Sequence, residues 1–210
     1  MAFESQGTVL SMETGTGSAV TLMTATAGYP TIITKALHGL TNGTVVTLSA
    51  FEGADADLLN GKTVIVQFAT TGTFAVAIDT TGKTITAGAG TATPKDYTEL
   101  GEVVDWSGPG GSATVIDKTH LKSTAIEKMI GLPDEGQFTF SLNCEFDDVG
   151  QIAFRAARAS RARKHFKVEY ADGTTQSFYG YALAFSTSGA VNDKVKASAT
   201  IEIDGAVTTA

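Results

Sequence analysis

The sequence predicts a mainly β protein with one α-helix and a small all-β unit inserted into the larger one. Three observations carry this. Apolar and polar residues alternate in several runs, as in Gln137–Phe146 and Val195–Ile203, which is the period of a half-buried strand. Thr occurs about 30 times and Gly 23 times, a composition that favours strands and turns over helix interiors. A single stretch, Asp147–Lys164, carries helical periodicity.

In chain order, Tyr29 to about Thr93 has its own texture. Asn42-Gly43, Asn60-Gly61 and Thr71-Gly72 mark turns, and Thr44–Ser49, Lys62–Phe68 and Thr73–Ile78 read as short strands between them. Three Lys against four Asp and Glu leave it near neutral. Gly- and Thr-rich linkers are expected at Ala25–Gly28 and Ala87–Thr93. The expected division is therefore 29–92 as the insert and 1–28 with 93–210 as the main domain.

Glu99–Trp106 reads as a strand ending at Gly108-Pro109-Gly110-Gly111. Ala113–Gly136 fits neither periodicity and is expected to be a long loop, of a length that in a compact domain is usually functional or disordered. In Gln137–Phe146, Phe138, Phe140, Leu142 and Cys144 share one face. Asp148 with Gln151 three residues on is a capping-box pattern, so a helix is expected over about 148–164. A helical wheel puts Val149, Ile152, Ala153, Ala156 and Ala159 on its buried face and Arg155, Arg158 and Arg161 opposite. A hairpin follows, turning at Asp172-Gly173, the pair that suits a type I′ turn. The last strand alternates Val195, Ala197, Ala199, Ile201 and Ile203. The tail after Gly205 has no clear partner.

Charge and side-chain chemistry narrow the function. Fifteen Lys and Arg face 22 Asp and Glu, a net −7. Six bases and no acid lie between Val149 and Val168, leaving nine bases against 22 acids, a net −13, elsewhere. An acidic chain is poorly suited to non-specific nucleic-acid binding. The basic helix face reads either as a solvated surface or as one that meets an acidic surface on another copy. One Cys cannot make an intramolecular disulfide or a multi-Cys zinc site. His38, His120 and His165 lack ligand spacing, and Thr14–Ser18 lacks the Lys of a phosphate loop. No catalytic, cofactor or metal site is read. The N-terminus lacks the pattern of a signal peptide, and Thr14–Thr34 is too polar for a membrane-spanning helix.

Two resemblances add to this. Gly101–Val104, Ile116–Ala125 and Glu127–Gly136, followed by a strand, a capped helix and the Phe166–Tyr170/Asp172-Gly173 hairpin, resemble the major tail tube protein of long, non-contractile-tailed bacteriophages (siphophages). The likeness covers 1–28 and 93–210. It implies a β-sandwich or barrel-like pair of sheets flanked by one helix, and a non-enzymatic virion protein assembled in the host cytoplasm. Hexameric rings would stack into a tube through which double-stranded DNA passes unbound, with tape-measure, terminator and baseplate proteins as partners. The loop Ala113–Gly136 and the arms Met1–Gly17 and Ala206–Ala210 would bridge copies. Candidate interface residues are then Thr119, His120, Leu121, Lys122, Glu127 and Lys128 of the loop, with Arg155, Arg158 and Arg161 of the helix. The net −13 outside the basic segment agrees with a DNA-repelling lumen.

The second likeness rests on His38–Val46, Leu59–Lys62, Thr71–Val76 and Ile78–Gly82. This stretch is similar to a half-domain of ubiquitin-activating enzymes, and it contains no Cys, so it implies no ubiquitin chemistry. Its place between the tube segments suggests a decoration outside the tube. The alternatives are a terminator or baseplate component on the same fold, or a host-surface-binding module using the insert and its Phe51–Leu58 loop.

Overall fold

The computed structural model describes residues 5–86, 88 and 90–209. Met1–Glu4 of the expected arm, Ala87 and Ala89 of the expected linker, and Ala210 lie outside them. The chain is mainly β, with one α-helix. Its strands are β1 (Val9–Thr16), β2 (Val20–Thr26), β3 (Thr31–Thr34), β4 (Val45–Ser49), β5 (Thr63–Ile65), β6 (Thr73–Val76), β7 (Gly90–Glu99) and β8 (Val103–Ser107). Then come β9 (Ser112–Asp117), β10 (Lys128–Asp134), β11 (Gln137–Asn143), the helix α1 (Val149–Ser160), β12 (Arg163–Glu169), β13 (Thr175–Ser188), β14 (Lys196–Ile203) and β15 (Thr208–Thr209).

Two compact units form. One is the continuous segment Glu13–Tyr97; the other joins residues up to Met12 with Thr98–Thr209. The divisions thus fall inside β1 and β7, whereas sequence texture placed them near 28 and 93. The difference has a packing cause. Met23, Ala25 and Ala92 are buried in the core of the 13–97 unit, so part of each stretch expected as a linker, 25–26 and 90–93, is strand, and β2 pairs β7 through Val20↔Ala92 and Met23↔Gly90.

In the 13–97 unit the strands run β6–β3–β2–β7, with β4 joining β7 to β5. Ile33, Leu48, Leu59, Val66, Phe74 and Val76 fill the core. His38 shapes a turn, its Nδ1 accepting from the Leu40 amide at 3.0 Å. Phe51 is buried and the Asn60 side chain clamps its backbone at 2.9 and 2.8 Å. That ring is therefore core and cannot serve the loop as a binding surface.

In the other unit the order is β1–β12–β13–β14–β11–β8, and β15 adds to β13. The alternation read from sequence places Phe138, Phe140 and Leu142 of β11 and Ala197, Ala199, Ile201 and Ile203 of β14 inside. Several expectations are corrected here. Glu99–Trp106 is not one strand: the chain turns between β7 and β8, with Glu102 at φ +62°. Part of the expected N-terminal arm is strand, since Val9–Met12 pair with Phe166–Glu169. The tail is likewise tied down, with Thr208 opposite Ser177. Only Gly173 of the β12–β13 turn has positive φ (+86°). Type I′ needs two such residues, so this is the longer turn ending in a left-handed Gly. The strand β13 runs on to Ser188.

The helix starts as its cap predicts. The Asp148 side chain accepts from the Gln151 amide at 2.7 Å. It ends at Ser160, short of 164, because Arg161 takes a left-handed φ of 55° and the chain then enters β12. Its buried face also differs from the wheel. Gly150, Gln151, Phe154 and Ala157 point inward, whereas Val149 and Ile152 are 66% and 47% exposed. Two local facts set this rotation. A Cβ on Gly150 would collide with the Glu99 carbonyl, so only Gly lets the backbones approach here. The buried Gln151 side chain donates to the carbonyls of Asn143 (3.0 Å) and Gly101 (3.3 Å) and accepts from the Glu145 amide (3.0 Å).

Candidate assembly surfaces

The segment expected as a loop is mostly a two-stranded sheet of its own. β9 and β10 pair antiparallel, Asp117 opposite Lys128, Ile116 opposite Met129 and Val115 opposite Ile130, with a register shift before Pro133. Opposed residues share a face and neighbours alternate. One face therefore carries Ile116 and Met129, and the other Val115 and Ile130. Both are open: Ile116 is 45%, Met129 50%, Val115 58% and Ile130 73% exposed. A two-stranded hairpin alone is marginally stable in water, and open apolar residues on both faces leave its hydrophobic stabilisation unrealised in the single chain.

The tip holds six of the candidate residues. The Asp117 carboxylate accepts from the Thr119 amide at 2.8 Å. The hydroxyl of Thr119, then its amide, holds the Asp117 carboxyl below the ordinary carboxylate range. Thr119 Oγ1 also accepts from the Glu127 amide at 3.0 Å, closing the loop's neck. His120 Nδ1 accepts from the Lys122 amide at 3.1 Å, so this imidazole stabilises the turn. Glu127 lies 4.0 Å from Lys118, both exposed, a pair of small energetic weight. Leu121 is fully exposed and Lys128 begins β10.

The other three candidates lie on α1. Arg155 is tethered: its Nη2 donates to the Phe146 carbonyl at 2.9 Å, its Nε to the Gln151 carbonyl at 3.2 Å, and its guanidinium lies 5.3 Å from the Phe146 ring centre. Arg155, Arg158 and Arg161 converge, with Tyr181 and Leu183 of β13, on one cleft of about 560 Å³. The Arg158 and Arg161 guanidinium groups have no partner among the described residues. Arg158 does sit in the last helical turn, where the macrodipole favours a cation.

The nine candidates thus fall into two groups, a hairpin tip and an arginine cleft. The sequence reading missed the hairpin's own apolar pairs. The signal was present as Val115-Ile116 and Met129-Ile130 around a polar turn, but Gly131, Pro133 and the register shift break the alternation. Of the histidines left outside these groups, His165 is buried in β12 with its ring 4.6 Å from that of Tyr179. Among the described residues no three His, Cys, Asp or Glu side chains gather as metal ligands, and no helix is long and apolar enough to cross a membrane.

No curated protein sequence matches the chain. Among solved structures, Hcp1 from Salmonella typhimurium is similar over 80% of this chain and 92% of its own, at 9% identity and a TM-score of 0.28. The family described as Lambda phage tail tube protein, TTP, matches residues 78–210. That match takes in β7 to β15, the β9–β10 hairpin and the arginine cleft, and with more than half of its residues so covered this chain belongs to the Lambda phage tail tube protein family.

Proposed function

We propose that this structural protein of the phage tail forms hexameric rings that stack into the tail tube of a siphophage and guide DNA during ejection. The observation that carries the assembly reading is the β9–β10 hairpin, whose paired apolar residues stay exposed on both faces. A second copy burying Val115, Ile116, Met129 and Ile130 supplies the stabilisation the single chain lacks. In this reading Thr119, His120, Leu121, Lys122, Glu127 and Lys128 meet the adjoining ring, and the arginine cleft serves contacts within a ring. The excess of acids outside the basic segment gives a wall that repels phosphate, so DNA slides through without being held. The other tail proteins, tape measure, terminator and baseplate, are its remaining partners. The 13–97 unit decorates the outside of the tube.

Negative-stain electron microscopy of the purified protein tests this. Long hollow tubes or six-fold rings are expected, and persistent monomers at high concentration overturn the reading. Single capped rings that never stack point instead to a terminator. Deleting Thr119–Lys128 is expected to leave a folded protein that forms no tubes; tubes formed without it remove the hairpin tip from the contact between rings.

A further inference from the structure

The arginine cleft has a complement at the opposite end of the same helix. Glu145 and Asp147 have no carboxylate partner among the described residues, although most other acids of their unit do: Glu102 bonds Asn143, Glu202 bonds Gln137 and Asp204 pairs with Arg163. Between the two free carboxylates stands Phe146, 60% exposed, followed by Val149, 66% exposed. The N-terminal end of α1 is therefore an apolar knob flanked by negative charge. The cleft at the C-terminal end offers Arg158 and Arg161 beside Leu183, 53% exposed, and Tyr181, 39% exposed.

Arg155 lines the cleft and lies over Phe146, so the two surfaces adjoin there, but Arg158 and Arg161 meet no carboxylate of their own chain among the described residues. Asp147 and Arg158 lie roughly 16 Å apart along the axis at the ordinary helical rise, and the helix is locked in place by Gln151. The macrodipole favours cations at one end and anions at the other, and the two ends therefore present complementary charges to a second copy. We infer that the acidic, apolar knob at Glu145–Val149 of one copy seats in the Arg158/Arg161 cleft of the next. When the knob and the cleft of one copy engage two different neighbours, the contact is head-to-tail. Contacts of this kind generate rings when the rotation closes. The inference rests on the tube reading and specifies the lateral joint of its rings.

The test is a charge swap in the full chain. Wild type, Glu145→Lys/Asp147→Lys, Arg158→Glu/Arg161→Glu and the variant carrying all four changes are compared by sedimentation and electron microscopy. Far-ultraviolet circular dichroism checks that each is folded. Each double reversal is expected to raise the concentration needed for assembly about tenfold or more. The fourfold variant, or the two reversed proteins mixed one to one, should assemble again. If wild type itself never assembles, the tube reading fails. If wild type assembles and the reversals change nothing, or neither the fourfold variant nor the mixture restores assembly, this joint is overturned while the tube reading stands. Dimers that never grow would mean a two-fold contact and also overturn it.

Discussion

In the β12–β13 hairpin Phe166 faces Phe178, their ring centres 5.8 Å apart, and both are almost completely buried. In the β9–β10 hairpin Ile116 faces Met129 and Val115 faces Ile130, and all four are between 45% and 73% exposed. The pairing geometry and apolar chemistry are alike; the surroundings differ. β12 has β1 on its other edge, and β13 has β14. β9 and β10 pair only with each other. One hairpin is finished by its own chain, and the other presents the surface of an unfinished core. Secondary structure alone therefore does not tell a hairpin covered by its own chain from one left open; what remains uncovered does, and the open one is the element proposed for assembly.

The contrast can be broken at three points. The largest effect is expected in the finished hairpin. Phe166→Ala removes a ring packed on Phe154 and Phe178 and should cost about 3–5 kcal/mol of stability, measured by urea unfolding in dilute solution. In the unfinished hairpin, Ile130→Ser should change dilute-solution stability by less than about 0.5 kcal/mol yet abolish tubes. A loss as large as that at Phe166 would mean the hairpin already packs on its own chain, and the contrast would collapse. The smallest effect is at Asp117, whose carboxyl Thr119 holds below its ordinary value. A lowered folded-state value means the contribution is present above the unfolded aspartate value, near 3.9. It is lost as pH falls through the lowered one. An acid titration followed by the Thr119 amide resonance should therefore show a midpoint below 3.9, with no global unfolding.

The finished regions were the legible ones. Alternation in β11 and β14 placed Phe138, Phe140, Ala199 and Ile201 inward, because a face packed on its own core must be apolar at every second residue. The cap Asp148 with Gln151 marked the helix start. The buried helix face was hidden for a physical reason. Val149 and Ile152 look like core, but the approach of Gly150 to the Glu99 carbonyl and the bonds of Gln151 turn them outward. A buried Gln and a Gly score as polar and neutral on a wheel, although they fix the helix's rotation. The β9–β10 pairs were hidden because Gly131, Pro133 and a register shift interrupt the period. For the candidate surfaces, the residue groups were visible as Thr119–Lys128 and the three arginines, but the exposed apolar flanks were not. Exposure is a property of the folded chain, and no spacing rule carries it.

Gln151 also bears on the kinetics of assembly. A side chain bonded to three backbone groups on the chain between β7 and α1 holds α1 in a single rotational setting before any partner is met. The arginine cleft and the knob at Phe146 are then pre-organised, and little ordering entropy is lost when they dock. The exposed faces of the β9–β10 hairpin carry no such fastening among the described residues. In the proposed tube, docking through this face would be a near-rigid encounter, and covering the open faces of the hairpin would be a separate step.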